Sequence, residues 1–389
     1  MPLKVFSTCD LGPEALAQLR GGGLDLEVYP GPHPPSHAEL LEAVTQGVDG
    51  LLTTLRDPVD RTILEAGRGR LRVVAQCAVG LDNIDIDAAT DAGIVVTHTP
   101  DVLTAATAEF ALFSLGALAR RLLASEAEVR DGHWKAWHPY LPFLGREVAG
   151  MTIGVIGLGR IGRAFAARCI GLEVDLLLHD PNKSAPDFIA SLDALLSLRA
   201  ETGVSARRHS VSLVDLETLL QKSDAISLHV PLRETGPRPT RHLIDAQALS
   251  RMKRGVLLVN TSRGPVIDEI AVADALRRDH LGGAALDVFA QEPLPLNSPL
   301  LSPDISDRLR LSHHFASGTG RTRLSPDPDI GMAGRAVAGL VAGLGLRLPG
   351  APGGNSPRPH RENPVDPRQL PYCANPAVRW AAPRQSPHE

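Results

Sequence analysis

Three side chains suited to a small anionic substrate occur along the chain in the order Arg263, Glu292 and His314. An arginine can hold a carboxylate through two parallel hydrogen bonds, and a histidine titrates close enough to neutral pH to supply a proton. Each of them alone is more often a surface charge or a structural histidine. They follow a glycine-rich turn at 157–162. This combination indicates hydride transfer to a 2-oxo acid.

The glycine-rich turn has the sequence context of a dinucleotide-binding site. Residues 151–180 read as a strand, a turn, a helix and a second strand, and the turn is Gly157-Leu158-Gly159-Arg160-Ile161-Gly162. Gly157 permits the tight turn, Gly159 lets the pyrophosphate approach the backbone, and Gly162 lets the helix pack on the strand. The phosphates would lie at the positive N-terminus of that helix. A fortuitous glycine turn is the alternative, which the flanking pattern disfavours.

An acidic residue, Asp180, ends the second strand, about 20 residues beyond the turn. Its carboxylate can accept hydrogen bonds from the adenosine ribose hydroxyls and would repel a 2′-phosphate. The sequence therefore predicts NAD as the cofactor. Lys183 lies near enough in sequence to leave NADP as an alternative.

Several segments match a known family in the expected order: residues 77–109, GVIGLGRIGRA at 154–164, SDAISLHVPL at 223–232, residues 252–276 and GGAALDVFAQEPLP at 282–295. They resemble the D-isomer-specific 2-hydroxyacid dehydrogenase family, and within it the glyoxylate and hydroxypyruvate reductase branch. The resemblance runs through most of residues 45–345.

The resemblance implies a role for each of the three side chains. Reduction places negative charge on the C2 oxygen as hydride arrives, so a proton must be supplied, and His314 would supply it. Glu292 would stabilise the imidazolium and fix the ring, and Arg263 would hold the substrate carboxylate and polarise the C2 carbonyl. The family usually reads Thr-Pro-His-Ile-Ala around the acid, whereas this chain reads Ser312-His313-His314-Phe315-Ala316. His313 therefore stays open as an alternative acid.

The resemblance also implies further binding residues. The backbone N–H groups of Val79 and Gly80 would bind the substrate carboxylate, although this stretch alone could equally be a simple turn. Asp287 would hold the carboxamide of the cofactor, and Val230 and Pro231 would flank its adenosine. The full set of expected cofactor-binding residues is Thr104, Gly157, Gly159, Arg160, Ile161, Gly162, Asp180, Val230, Pro231, Thr261 and Asp287.

Composition excludes several other classes of protein. The formal net charge is −4 over 389 residues, which gives no basic surface for nucleic acid. The four cysteines, Cys9, Cys77, Cys169 and Cys373, are too far apart in sequence for a metal motif or a disulfide framework. No apolar run reaches the length that spans a bilayer. We therefore expect no metal, no nucleic acid and no membrane, and a cytoplasmic protein.

The order of elements predicts an α/β protein with two domains. Residues 1–103 alternate short apolar runs with helical patterns, as in a flavodoxin-like substrate domain. Residues 104–316 form the predicted Rossmann NAD-binding domain, and 317–348 return to the substrate domain, so that a cleft is expected between the two. Residues 349–389 form a proline-rich tail that we expect to be partly disordered. Within it, residues 370–376 resemble the usual short terminus of the family, so part of the tail is expected to dock.

Some segments differ from the family pattern. The stretches 184–210 and 234–239 are longer than usual, which leaves the substrate and the activity open. Trp134 and Trp137 precede the glycine-rich turn in a chain with few aromatic residues. By resemblance their segment belongs to a homodimer interface, with Trp137 directed towards the partner's substrate pocket. Packing within their own subunit is the alternative.

The sequence thus predicts an NAD(P)-dependent D-2-hydroxyacid dehydrogenase that reduces a small 2-oxo acid, glyoxylate or hydroxypyruvate. A 3-phosphoglycerate dehydrogenase is a variant of this interpretation. A different class is an NAD(H)-sensing interaction protein, because transcriptional corepressors resemble the same family and keep the same three residues.

Overall fold

Parallel strands alternate with helices through most of the chain. The computed structural model describes residues 2–141, 144–182, 185–346, 366–370 and 372–378. The N-terminal elements are β1 (Lys4–Ser7), α1 (Pro13–Gly21), β2 (Asp25–Val28), α2 (His37–Thr45), β3 (Gly50–Thr53), α3 (Arg61–Gly67), β4 (Val73–Gln76), α4 (Ile86–Ala92) and β5 (Val95–Thr97). The central elements are α5 (Thr104–Ala119), α6 (Leu122–Arg130), β6 (Thr152–Ile156), α7 (Arg160–Cys169), β7 (Asp175–His179), α8 (Pro186–Glu201), β8 (Val211–Leu213), α9 (Leu216–Lys222), β9 (Ala225–Leu228), α10 (Ala246–Arg251), β10 (Val256–Asn260), α11 (Glu269–Arg277), β11 (Leu281–Leu286) and β12 (Leu309–Leu311). Two helices follow them, α12 (Gly320–Leu324) and α13 (Met332–Gly343).

The chain divides into two units. One consists of Met1–Leu103 together with Gly318–Glu389, and the other of Thr104–Ser317. The second unit is therefore inserted into the sequence of the first.

The first unit has a five-stranded parallel sheet in the order β2-β1-β3-β4-β5, which is the flavodoxin-like order. Successive strand residues face opposite sides of a sheet. Accordingly Val5 packs with Leu52 and helix α13 on one face, and Phe6 packs with Leu51 and helices α2 and α3 on the other. The strand pattern of the sequence thus produces a sheet covered on both faces.

The inserted unit has a seven-stranded parallel sheet in the order β12-β11-β10-β9-β6-β7-β8. Counted from β6, the chain first runs outwards to β7 and β8 and then returns to the other side of β6 with β9, which is the Rossmann arrangement. All residues of β9 and β10 are buried, as expected for parallel strands with helices on both faces. The predicted two-domain α/β fold with an inserted Rossmann domain is confirmed.

Helix starts differ in a way that bears on ligand binding. Five helices follow an aspartate whose carboxylate accepts a hydrogen bond from a backbone N–H of the first turn: Asp60, Asp85, Asp215, Asp245 and Asp268. Helix α7 has Gly159 at its N-cap position, which provides no side-chain hydrogen bond to the first turn. Because the first N–H groups of a helix have no partner within it, those of α7 are suited to an external anion.

The described parts of the segments that lengthen the chain adopt defined structure. Most of the stretch 184–210 is helix α8, and the edge strand β8, which the sequence pattern did not predict, follows it. In the tail, Cys373 forms an antiparallel bridge with Thr97 at the end of β5. Asn375 accepts a hydrogen bond from the Val96 N–H (2.8 Å) and donates one to the Ile94 carbonyl oxygen (2.8 Å). The disorder predicted for the rest of the tail falls outside the described residues.

None of the helices in the described part of the chain combines the length and the apolar character needed to cross a bilayer. Over the same residues, no group of three or more histidine, cysteine, aspartate or glutamate side chains is placed to hold a metal ion.

Candidate active site

The glycine-rich turn connects β6 to α7, and each of its glycines is placed differently. Gly157 has a φ of +98°, and a Cβ there would lie 2.5 Å from the His229 carbonyl oxygen. A Cβ on Gly162 would lie 1.9 Å from the Gly157 carbonyl oxygen, so the close approach of turn and helix requires glycine. A Cβ on Gly159 would meet nothing within 4 Å. The space beside Gly159 and the uncapped start of α7, formed by Arg160 and Ile161, therefore fit a pyrophosphate group.

Asp180 lies directly beside this turn, at the end of β7. Its Oδ2 accepts a hydrogen bond from the Leu158 N–H (2.9 Å), and its Oδ1 accepts one from the Asn182 N–H (2.9 Å). The carboxylate thus ties the end of β7 to the glycine-rich turn, where an adenosine ribose would lie. Lys183, which left NADP open, falls outside the described residues.

Val230 and Pro231 follow β9, on the other side of β6. A Cβ on Gly157 would lie 2.9 Å from Val230 Cγ1, so Val230 packs against the glycine-rich turn. The Pro231 carbonyl oxygen accepts a hydrogen bond from Thr240 Oγ1 (2.7 Å). The structure therefore brings together the residues expected around the adenosine and the phosphates.

The turn that carries Arg263 is held by Asn260, the fully buried last residue of β10. Asn260 Nδ2 donates a hydrogen bond to the Arg263 carbonyl oxygen (2.9 Å), and Asn260 Oδ1 accepts one from the Ser262 N–H (3.0 Å). A Cβ on the next residue, Gly264, would lie 1.8 Å from the Phe289 carbonyl carbon. The backbone of Arg263 is therefore fixed from both sides.

His314 and Glu292 form a pair in the same unit. His314 Nδ1 lies 3.0 Å from Glu292 Oε2, and Glu292 Oε1 accepts a hydrogen bond from the Phe289 N–H (3.0 Å). Burial disfavours the ionised carboxylate, but the hydrogen bond and positive charge of His314, the Phe289 N–H and the charge of Arg263 together hold the pKa of Glu292 below its ordinary value. His314 and Arg263 thus both act on the same carboxylate, that of Glu292.

His313, the alternative acid, is placed differently. It is exposed, and its ring stacks on Phe315 with 5.2 Å between the ring centroids. The geometry therefore joins His314, and not His313, to Glu292.

Asp287 holds the segment that carries His314. This aspartate is 1% exposed, and its carboxylate accepts hydrogen bonds from Ser312 Oγ (2.6 Å), the Phe315 N–H (2.7 Å) and the Ala316 N–H (2.8 Å). Its carbonyl oxygen accepts a further one from the His314 N–H (2.7 Å). His314 has a φ of +54°, a left-handed conformation that is unfavourable for a side chain with a Cβ. Asp287 therefore stabilises an otherwise unfavourable backbone position of the histidine.

Asp287 also lines a small pocket. Besides Asp287 and Ser312 it is lined by Phe110, Ser114, Thr261 and Arg310, among others. The Thr261 hydroxyl is buried without a hydrogen-bond partner, which is unusual unless a ligand supplies one. Thr104 begins α5 in the same unit. An orphaned hydroxyl at this point fits a bound cofactor.

Val79 and Gly80 belong to the first unit and are described within it. The Gly80 carbonyl oxygen accepts a hydrogen bond from Gln76 Nε2 (3.2 Å), and the Val79 carbonyl oxygen lies 3.0 Å from His98 Nδ1. Neither backbone N–H donates a hydrogen bond to another described residue. Their carbonyls are thus fixed while their N–H groups are available for an anion.

Comparison with known proteins identifies the class to which this fold and site belong. The sequence profile of the D-isomer specific 2-hydroxyacid dehydrogenase, NAD binding domain, matches residues 112–316. A glyoxylate reductase from Korarchaeum cryptofilum is 41% identical over 324 residues, which are 83% of this chain and 89% of that protein. The chain belongs to the D-isomer specific 2-hydroxyacid dehydrogenase family. It is an NAD-dependent oxidoreductase that acts on the CH–OH group of 2-hydroxy acids, as the sequence predicted.

Solved structures show the same architecture. A protein from Thermus thermophilus superposes with a TM-score of 0.74 at 38% identity, covering 89% of this chain and 99% of that one. A glyoxylate reductase from Paecilomyes thermophila gives a TM-score of 0.71 at 26% identity, covering 90% of this chain and 98% of that one.

Sequence reasoning did not identify the residues that position the site. Asn260 lies in a matched segment, but the surrounding sequence did not predict that its side chain hydrogen-bonds the turn that carries Arg263. Gln76 is fully buried; its side chain accepts a hydrogen bond from Thr53 Oγ1 and donates one to Asn83 Oδ1, in addition to the one it donates to the Gly80 carbonyl oxygen. A polar residue at the end of an otherwise apolar strand is the signal that could have revealed each of them.

Proposed function

We propose that the protein reduces glyoxylate, or the related hydroxypyruvate, to the corresponding 2-hydroxy acid, with His314 as the general acid. The observation that carries the proposal is the 3.0 Å contact of His314 Nδ1 with Glu292 Oε2, with the charge of Arg263 acting on the same carboxylate. The names of the relatives from Korarchaeum cryptofilum and Paecilomyes thermophila favour glyoxylate as the substrate.

The dihydronicotinamide, when bound, supplies the hydride that adds to C2 of the substrate. Arg263 holds the substrate carboxylate and polarises the C2 carbonyl. As negative charge develops on the C2 oxygen, His314 donates a proton to it. Because Nδ1 is engaged by Glu292, the proton leaves from Nε2.

Glu292 and Asp287 determine whether this proton transfer can occur. Glu292 stabilises the imidazolium before the proton is donated and fixes the ring orientation. Asp287 keeps the histidine backbone in place. Thr261 and Asp287 would contact the nicotinamide end of the cofactor, while Asp180 would bind the adenosine ribose.

The decisive experiment follows oxidation of NADH with glyoxylate, hydroxypyruvate and pyruvate for the wild type, His314→Ala and His313→Ala. Loss of a general acid lowers kcat by about 10²–10⁴-fold, and we expect this loss in His314→Ala only. His313→Ala is the matched control, because it removes an adjacent imidazole that does not contact Glu292. A kcat that falls only in His313→Ala would refute the assignment of the acid. Tight NADH binding without turnover of any of these acids would instead support an NAD(H)-sensing protein.

We also propose a homodimer. Helix α6 has no buried residue, and the segment after it exposes Trp134 (64%), Trp137 (82%) and Tyr140 (71%). Such apolar surface usually marks an interface, and a second copy of the chain in a C2 arrangement is the commonest partner. Light scattering of the wild type and of Trp137→Ala tests this, with a monomeric wild type as the refuting result. The cytoplasmic location stays a prediction of the sequence.

A further inference from the structure

The loop 234–239, which is longer than usual for the family, is held in a defined position. At its base the Arg233 N–H donates a hydrogen bond to Thr240 Oγ1 (2.8 Å), and the Thr240 N–H donates one to the Arg233 carbonyl oxygen (2.9 Å). Across it, Arg241 Nη2 donates to Glu234 Oε1 (2.7 Å). The loop that follows β9 is therefore a hairpin-like turn whose two ends are joined by hydrogen bonds.

Arg238 extends from this loop to the end of β7. Its Nη1 donates hydrogen bonds to Asn182 Oδ1 (3.0 Å) and to the Pro181 carbonyl oxygen. These two residues directly follow Asp180, the acidic residue expected at the adenosine ribose. Within the described residues, Nε and Nη2 of Arg238 have no hydrogen-bond partner, and the side chain is exposed. Part of the guanidinium is therefore available to an anion bound at this point.

Asp180 would ordinarily exclude a ribose 2′-phosphate by repulsion. In this protein, however, both of its oxygens already accept hydrogen bonds from backbone N–H groups, those of Leu158 and Asn182. A cation held beside the same strand end opposes the remaining repulsion, and an arginine placed there is the usual means of accommodating a 2′-phosphate. A guanidinium also suits phosphate because its nitrogens can donate in parallel.

We propose that Arg238 is a specificity-determining residue of the cofactor site and enables the protein to bind NADP(H) as well as NAD(H). The proposal rests on the placement of the adenosine ribose at Asp180. It assigns a function to a loop that the reaction itself does not use.

The test is equilibrium binding, measured by calorimetry, of NADPH and NADH to the wild type, Arg238→Gln and Arg233→Gln. Adenosine 2′,5′-bisphosphate and adenosine 5′-monophosphate serve as probes of the adenosine end alone. Arg233→Gln is the matched control: it removes one positive charge from the base of the same loop, where the side chain is not hydrogen-bonded to residues 181–182. A guanidinium that donates to a phosphate forms a strong, charge-assisted hydrogen bond. We therefore expect Arg238→Gln to raise the Kd of NADPH and of the bisphosphate about tenfold to a hundredfold, and that of NADH and of the monophosphate less than about threefold.

Several results would overturn the proposal. Equal increases for NADPH and NADH in Arg238→Gln would show that the arginine only braces the adenosine site. An equal effect of Arg233→Gln would show a general influence of charge. Tight binding of NADH but not NADPH by the wild type would refute the role of Arg238 and leave the cofactor site intact. Binding of neither dinucleotide would refute the placement of the adenosine at Asp180 as well.

Discussion

Replacement of Asp287 by asparagine should detach the segment that carries the proposed acid. The carboxylate of this buried residue accepts three hydrogen bonds, two at Oδ1 from Ser312 and Phe315 and one at Oδ2 from Ala316. An asparagine oxygen in the Oδ1 position could keep the first two. Its NH₂ group would then face the Ala316 N–H, donor against donor.

The expected cost follows from this geometry. Loss of one hydrogen bond to a charged acceptor costs about 1.5–3 kcal/mol, and a buried N–H left without an acceptor adds to it. We expect a local destabilisation of about 2–4 kcal/mol. Because His314 is held in a left-handed conformation by the same residue, its ring should lose its fixed position. We expect kcat for glyoxylate to fall about tenfold to a hundredfold, since misplaced catalytic groups have effects of this size.

Hydrogen exchange of the peptide covering residues 312–316 measures the local effect, and steady-state kinetics measure kcat. Ser312→Ala is the control, because it removes only the hydroxyl donor and should change exchange and kcat much less. The Kd of NADH separates positioning from cofactor binding. If Asp287 acts only on the nicotinamide, the Kd of NADH will rise while the exchange of 312–316 stays as in the wild type. That result would refute the reasoning.

Three further predictions concern other residues. Arg263→Lys keeps the charge but loses the planar fork, so KM for glyoxylate should rise about tenfold or more. Gly159→Val should leave stability nearly unchanged, because a Cβ there meets no other atom within 4 Å, but its side chain would enter the space beside α7 and raise the Kd of NADH at least about tenfold. Gly162→Ala should instead destabilise the fold, because its Cβ would lie 1.9 Å from the Gly157 carbonyl oxygen. Burial lowers the pKa of His229 from 6.5 to about 3, so unfolding takes up a proton between these pH values. Stability should therefore fall as pH drops from 6.5 to 3, by up to about 5 kcal/mol, and less steeply in His229→Gln.

Each of these has a clear contrary outcome. A KM within about twofold of wild type in Arg263→Lys would show that charge alone binds the carboxylate. Equal loss of thermal stability in the Gly159 and Gly162 variants would contradict the conclusion that a side chain has room at Gly159 but not at Gly162. A denaturant titration series in which wild type and His229→Gln lose stability in parallel below pH 6.5 would exclude His229 as the source of the acid sensitivity.

Much of the fold and the cofactor could be predicted from local sequence patterns. The spacing of Gly157, Gly159 and Gly162 after an apolar run depends only on neighbouring residues, and it indicated the strand, turn and helix that the structure contains. The order of matched segments predicted the family, the two-domain α/β fold and NAD, and the comparisons confirm all three. These features can be predicted from sequence because hydrophobic periodicity and the residue preferences of turns depend on only a few neighbouring residues.

Periodicity was less informative where a segment is short or departs from the family. Strand β8 has only three residues and an exposed edge position, so its apolar pattern is too weak to predict. Asn375 joins the edge of β5 through hydrogen bonds to residues about 280 positions earlier. No local pattern specifies a pairing over such a separation.

The sequence by itself therefore determined the class of the protein and its fold, and it supplied the residues of the proposed site. Only the tertiary structure showed that Glu292 contacts the ring of His314 and that the ring of His313 stacks on Phe315. It likewise placed Asp287 in contact with the segment that carries His314. It also placed Arg238 beside the end of β7, although Arg238 and Asn182 are 56 residues apart in sequence. The physical reason is that a turn is specified by the backbone preferences of adjacent residues, whereas the partner of a charged side chain depends on which distant strand ends the sheet brings together.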